Sequence, residues 1–133
     1  MSYKIKKLEK QLTKGLLDLV VLGFLRAKPM HGYKIIISIR KNFGVYFGPS
    51  TIYPYLNELE KNRYITSQWD LNHDRPRKMY SITPEGLDIL TGSEQTFNQI
   101  CNTLTRIGMD RLNFNGQQKS IDLPTNRIVS FFI

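Results

Sequence analysis

The feature that most constrains this chain is a change of hydrophobic period at residue 65. Upstream, apolar residues recur at steps of three and four; from Ile65 the side chains alternate. Ile65, Ser67, Trp69 and Leu71 share one face of a strand, with Thr66, Gln68 and Asp70 on the other. Asn72-His73-Asp74-Arg75-Pro76 is dense in turn formers, and Arg77 to Ile82 returns as a second strand. Thr83-Pro84-Glu85 then restarts a helix, with Thr83 as N-cap, proline at the first helical position and an acidic residue beside it. Helices, one hairpin, then a helix again describe a mainly α fold with a small β-hairpin, an α+β class.

The upstream helices read less evenly. Residues 2–14 are a Lys-rich lead-in, expected to be loosely ordered or the fraying start of a helix. Leu16 to Leu25 is apolar nearly all round and must be covered on most sides, until Pro29 stops it. A second helix from about His31 to Asn42 places Tyr33, Ile36, Ile37 and Arg40 on one stripe. A third begins at Gly48-Pro49-Ser50 and carries Ile52, Leu56 and Leu59 on one face. Pro54 conflicts with that helix, because it deletes a backbone donor and disfavours the helical conformation at Tyr53. Asn62 is the expected left-handed terminator.

After Thr83, the residues Leu90, Phe97, Ile100, Leu104 and Ile107 fall at steps of seven, three, four and three. That is an a/d seam, interrupted by Ser93 and weakened by Gly92. Burying each large apolar side chain contributes roughly 1.5–3 kcal/mol, so a bare stripe would be costly on a monomer. A homodimer is therefore expected; the competing reading folds the helix back onto its own domain. Beyond Ile107 the pattern dissolves, apart from Ile128 to Ile133, which either adds to that interface or docks as a strand on its own subunit.

Charge narrows the partners. Residues 1–80 carry 15 Lys+Arg against 6 Asp+Glu, whereas residues 81–133 carry 4 against 5, so the net +8 belongs to the first part of the chain. A basic half joined to a neutral one points to a polyanion-binding module, the bland alternative being a solvated surface. The single cysteine, Cys101, allows no intramolecular disulfide and no CxxC knuckle, which fits a reducing, cytoplasmic setting. No apolar run approaches the ~20 residues that span a bilayer, and no membrane partner is expected. His31 and His73 lie in unlike settings without ligands at metal spacing, and no G-x-S-x-G, P-loop or dinucleotide fingerprint occurs. The chain is not expected to be an enzyme: no catalytic residue, metal or cofactor is assigned.

Three helices, a hairpin with a basic tip and a long helix form the order of a winged helix-turn-helix. A helix fits the major groove, where base edges carry an unambiguous code, and a wing of Arg and Lys meets an adjacent groove or backbone. The partner is then double-stranded DNA. Ser50, Thr51, Tyr53 and Tyr55 bring hydroxyls to the start of the third helix, although the two tyrosines read equally well as boundary aromatics. Arg75, Arg77 and Lys78 form the tip of the wing, or else solvated turn charges.

The chain resembles the PadR family of transcriptional regulators over about residues 14–90. The resemblance rests on Leu25 and the run Pro29-Met30-His31-Gly32-Tyr33, on Pro49-Ser50-Thr51-Ile52-Tyr53-Pro54-Tyr55-Leu56 and on Leu59-Glu60-Lys61. It continues through Trp69, Arg75-Pro76-Arg77-Lys78-Met79-Tyr80 and Ile82-Thr83-Pro84-Glu85-Gly86. It implies a winged-helix homodimer that represses promoters at near-palindromic sites, pairs through a C-terminal helix and, in some members, binds a small-molecule effector between subunits. Carried over, the DNA-facing positions are Tyr33 and Lys34, then Ser50, Thr51 and Tyr53, then Arg75, Arg77 and Lys78. A Tyr-Pro pair is a habit of the family, so a bent third helix is expected. One departure stands out: the usual Gly-Leu after the Leu-Glu element is Arg63-Tyr64, which leaves Asn62 the left-handed cap. Residues 1–82 are thus expected to bind DNA and residues 83–133 to supply the dimerisation helix and tail. The runner-up reading is a winged-helix protein–protein interaction module; a ligand-capturing dimer is a third.

Overall fold

The computed structural model describes residues 2–108, so the segment Ile128 to Ile133 and the rest of the tail from residue 109 lie outside the described residues. The Lys-rich lead-in is a full helix, α1 (Tyr3–Gly15), and not a loose start. Ser2 caps it, its Oγ accepting from the Ile5 amide at 3.3 Å, and no breaker interrupts the run before Gly15. None of its residues is buried; Ile5, Leu8 and Leu12 form an exposed apolar stripe.

Helix α2 (Leu17–Ala27) behaves as its all-round apolar character requires: Leu17, Leu19, Val20, Val21, Leu22 and Leu25 are all buried. A two-residue strand, β1 (Met30–His31), follows, then α3 (Gly32–Phe43), which ends at Gly44 in the left-handed region with φ 69°. The buried face of α3 is Ile35, Ile36, Ser38 and Ile39, not the stripe expected from Tyr33, Ile36, Ile37 and Arg40. Three consecutive isoleucines, Ile35 to Ile37, make the period ambiguous, and Tyr33 and Ile37 end up exposed.

Helix α4 (Pro49–Lys61) buries Ile52, Leu56 and Leu59 as expected, with Pro54 inside it. The donor that Pro54 lacks would have served the carbonyl of Ser50, which sits on an exposed turn where water can satisfy it. The end of α4 corrects the expected cap. Asn62 has φ −83°, and the left-handed residue is Arg63, with φ 67°. Tyr64 N donates to Leu59 O at 2.9 Å and Arg63 N to Glu60 O at 3.0 Å, the two bonds of a Schellman motif. The motif puts the left-handed conformation one residue beyond the cap, whatever side chain stands there.

Strands β2 (Ile65–Asp70) and β3 (Arg77–Ile82) pair antiparallel from Ile65↔Ile82 to Asp70↔Arg77. They are not an isolated hairpin: β1 adds on the other side through Met30↔Tyr80 and His31↔Met79, giving the order β1-β3-β2. Tyr80, on the central strand, is buried. Along β2 the expected inner face leaves the core, from buried Ile65 through half-buried Ser67 to exposed Trp69.

Helix α5 (Pro84–Arg106) starts as the Thr-Pro-Glu-Gly sequence predicts. Thr83 Oγ1 accepts from Gly86 N at 3.0 Å and donates to Arg63 O at 2.6 Å, while Thr83 N donates to Tyr64 O at 3.1 Å. The chain divides into two compact units, residues 1–90 and the part from Thr91 onward. Leu90 is fully buried at the end of the first; in the second, Glu94 is buried, Phe97 and Leu104 are half-buried, and Ile100 and Ile107 are exposed.

Two substitutions at the wing root should move stability in opposite directions. A Cβ at Gly86 would lie 2.0 Å from the Tyr64 carbonyl oxygen. Gly86→Ala must push that backbone away and is expected to cost about 1–3 kcal/mol. Arg63→Gly removes the left-handed penalty and should gain up to ~1 kcal/mol. Urea unfolding of the two variants checks both signs.

Candidate nucleic-acid interface

The β1–β3 pairing carries the start of α3 to the wing. His31 faces Met79 across the ladder, so Arg77, two residues away on β3, is its diagonal neighbour on the same face. His31 Nε2 lies 3.1 Å from Arg77 Nη1, and His31 Nδ1 lies 3.3 Å from the Lys34 amide nitrogen that it caps. Both neighbours can only donate, whereas a neutral imidazole has one accepting nitrogen. One contact at a time is therefore a hydrogen bond, and a protonated ring could make neither. Burial pushes the His31 pKa down from 6.5, helped by the positive charges of Arg77, Lys34 and His73 and opposed by Asp70.

Tyr53 of α4 closes over the same corner. A Cβ on Gly32 would meet the Tyr53 ring at 2.5 Å, so the ring sits where only glycine leaves room. Ser67 Oγ donates to Glu60 Oε2 at 2.7 Å and ties α4 to β2. On the wing, Lys78 Nζ stands 5.6 Å from the centroid of the Trp69 ring, its cross-strand partner. Asp70 organises the turn: its Oδ1 accepts from Asn72 N at 3.0 Å and its Oδ2 lies 3.3 Å from His73 Nε2.

These contacts enclose a concavity of about 360 Å³ lined by Tyr33 from α3, Tyr53 and Asn57 from α4, and Trp69, Arg77 and Lys78 from the wing. Four of the eight positions singled out in the sequence, Tyr33, Tyr53, Arg77 and Lys78, thus meet on one surface. The others do not line it: Lys34 is exposed beside Tyr33, Ser50 is exposed and Thr51 half-buried in the first turn of α4, and Arg75 is exposed in the turn between β2 and β3. Arg77 Nε is buried with no hydrogen-bond partner among the described residues.

Sequence reasoning did not assign His31, Asn57 or Trp69 to this surface. His31 is the helix-start residue it was read to be, and also the neighbour of Arg77. Asn57 and Trp69 carried a signal, as the amide of α4 ahead of Asn62 and as an aromatic on a strand bound for the wing. For Tyr55, left open in the sequence, the boundary-aromatic reading is the one the fold adopts. Its hydroxyl donates to Asp18 Oδ1 at 2.5 Å, so it fastens α4 to α2 and takes no part in the concavity. Burial and the Asp18 carboxylate push its pKa far up. Among the described residues, no group of three or more His, Cys, Asp or Glu is placed to hold a metal ion.

The sequence profile of the transcriptional regulator PadR-like family matches residues 21–91, more than half of the chain. This chain belongs to the PadR-like family. It is a DNA-binding transcription regulator and not an enzyme. Its fold matches the crystal structure of a PadR family transcriptional regulator from Eggerthella lenta DSM 2243, 30% identical, over 84% of this chain and 94% of that one, with a TM-score of 0.71. A Streptococcus transcriptional regulator is also 30% identical, over 73% of this chain and 96% of that one, with a TM-score of 0.64. A PadR-like transcriptional regulator from Bacillus cereus strain ATCC 14579, at 24% identity, shares the fold over 73% of this chain and 95% of its own, with a TM-score of 0.66. No curated protein matches the chain. No helix of the described residues is long and apolar enough to cross a membrane.

In this PadR-like chain the lowered pKa of His31 has a definite sign. Above the ordinary value of 6.5 both folded and unfolded rings are neutral and no difference arises. As pH falls below that value the unfolded chain takes up a proton that the folded one resists, so stability is lost down to the folded pKa. Asparagine also caps helices and does not titrate. His31→Asn should therefore show a smaller drop in melting temperature than the parent between about pH 7 and pH 5. An equal drop in the two proteins would show that His31 is not the group responsible.

Proposed function

We propose that this protein is a repressor that binds a near-palindromic operator as a homodimer in the cytoplasm, with α4 in the major groove and the β2–β3 wing against the neighbouring backbone. One observation carries this reading: the basic concavity between α4 and the wing, in the half of the chain that holds 15 basic residues against 6 acidic ones. Its width is set by a tyrosine, Tyr53, seated on Gly32, and its far wall by the cations Arg77 and Lys78. Ser50 and Thr51 offer hydroxyls, and Ser50 also its backbone amide, to phosphate oxygens; the Thr51 and Ile52 amides are held by the Gly48 carbonyl. Tyr33 and Lys34 do the same from the start of α3. The unpartnered Nε of Arg77 supports a phosphate role, because a buried donor without an acceptor is costly until one arrives. Arg75, exposed at the tip, adds a backbone contact.

The dimer is proposed from α5. Ile100 and Ile107 are exposed and Phe97 and Leu104 half-buried, at the steps of a seam, whereas Leu90, placed in that seam by its spacing, is already fully buried in the first unit. Residues 83–133 would then pair while residues 1–82 bind, and a two-fold axis would set the recognition helices about 34 Å apart, one turn of DNA. The reducing setting is consistent with the free thiol of Cys101.

Two experiments test this reading, the first of them against a protein-docking module. Duplex binding titrated with salt should fall with a log–log slope of about −0.9 per phosphate contact, and Arg75→Ala with Arg77→Ala should weaken all sequences alike and flatten the slope by roughly one per phosphate lost. A flat response in the parent would favour a protein partner. Leu104→Asp places a charge in the seam and should convert dimer to monomer by light scattering; a surviving dimer would show that the interface lies elsewhere.

A further inference from the structure

We propose that Asn57 is the residue with which α4 reads sequence, and that it reads an adenine in each half-site. This rests on the reading of α4 as the helix that enters the major groove. The outward face of α4, opposite buried Ile52, Leu56 and Leu59, is a stripe of Ser50, Pro54, Asn57 and Lys61 at steps of four, three and four. Tyr53 flanks that stripe on the wing side and Glu58 on the other.

Discriminating a base pair in the major groove takes paired hydrogen bonds. Pro54 has no polar side-chain atom, Lys61 only donates, and Ser50 brings a single hydroxyl. The ring of Tyr53 is seated against Gly32. Glu58 lies toward the flank where Tyr55 is bonded to Asp18 of α2, away from the concavity, and its carboxylate would meet phosphate with the wrong sign. Asn57 alone on this face carries an acceptor and a donor side by side, the complement of adenine N6–H and N7. Its amide is also uncommitted. It is exposed and makes no hydrogen bond among the described residues, whereas Asn42 spends its amide on the Ser38 carbonyl at 2.8 Å. Asn57 lies one turn beyond Tyr53 and lines the same concavity, so a duplex edge that reaches Tyr53 passes it.

The test is selection of bound duplexes from a random pool by the full chain and by Asn57→Ala, followed by affinity measurements on the selected site. The parent should return an adenine at one fixed position of each half-site. Replacing that adenine by 7-deazaadenine, which lacks N7, should weaken the parent by about 5- to 150-fold if most of the paired contact is lost, and leave the variant unchanged. Asn57→Ala should lose the preference at that position alone and keep the parent's salt slope, which reports an intact phosphate grip. An unchanged selection profile in the variant, or no adenine in the parent's half-sites, overturns the assignment while leaving DNA binding intact. Failure of the parent to enrich any duplex overturns the DNA-binding reading itself, and this assignment with it.

Discussion

Two backbone pairings, Met30↔Tyr80 and His31↔Met79, decide where the basic surface of this chain ends up. A two-stranded ribbon is marginally stable in water and free to twist at its root. The addition of β1 makes β3 the central strand, buries Tyr80, and joins the wing to the segment between α2 and α3. The His-Gly-Tyr element thereby acquires a reason for each residue. The histidine caps α3 and touches Arg77, the glycine leaves room for the Tyr53 ring, and the tyrosine borders the concavity. A short strand thus sets the distance between the start of α3 and the wing.

The opposite edge of the wing is fixed as firmly. The Schellman turn at Arg63, the threonine that caps α5 and the close approach of Gly86 to Tyr64 meet at one corner. The Glu60–Ser67 bond then ties α4 to β2 just beyond it. The hydrophobic core supplies stability, but these polar contacts supply geometry. The Glu60–Ser67 bond joins α4 to the sheet, and the others join the start of α5 to the turn that ends α4.

Much of this was legible in the sequence. The change of period located both long strands, the stripe of Ile52, Leu56 and Leu59 oriented α4, and Thr83 announced α5. What escaped did so for identifiable reasons. A strand of two residues is too short to show a period, so β1 was invisible. Helix α1 buries nothing, and its lysines outweighed the stripe of Ile5, Leu8 and Leu12, so it read as loose chain or the fraying start of a helix. Three isoleucines in a row hid the inner face of α3. The left-handed position at the end of α4 follows the geometry of the turn and not the preferences of the residues, so arginine occupies it while asparagine beside it does not. On the concave surface, charge and hydroxyls pointed to the right elements, yet Tyr55 and Tyr53 looked equivalent until the fold turned one toward Asp18 and the other toward the wing.

The ring of His31 has one lone pair to share between two suitors, and this makes it a weak keeper of Arg77. When it holds the guanidinium, the Lys34 amide in the first turn of α3 goes wanting; when it serves the amide, the guanidinium is loose. If a phosphate oxygen drew Arg77 outward, the ring would be freed to close the helix end. On the proposed function, gripping the duplex and tightening α3 would then be a single event, and the unliganded protein would carry Arg77 on a latch and not a lock.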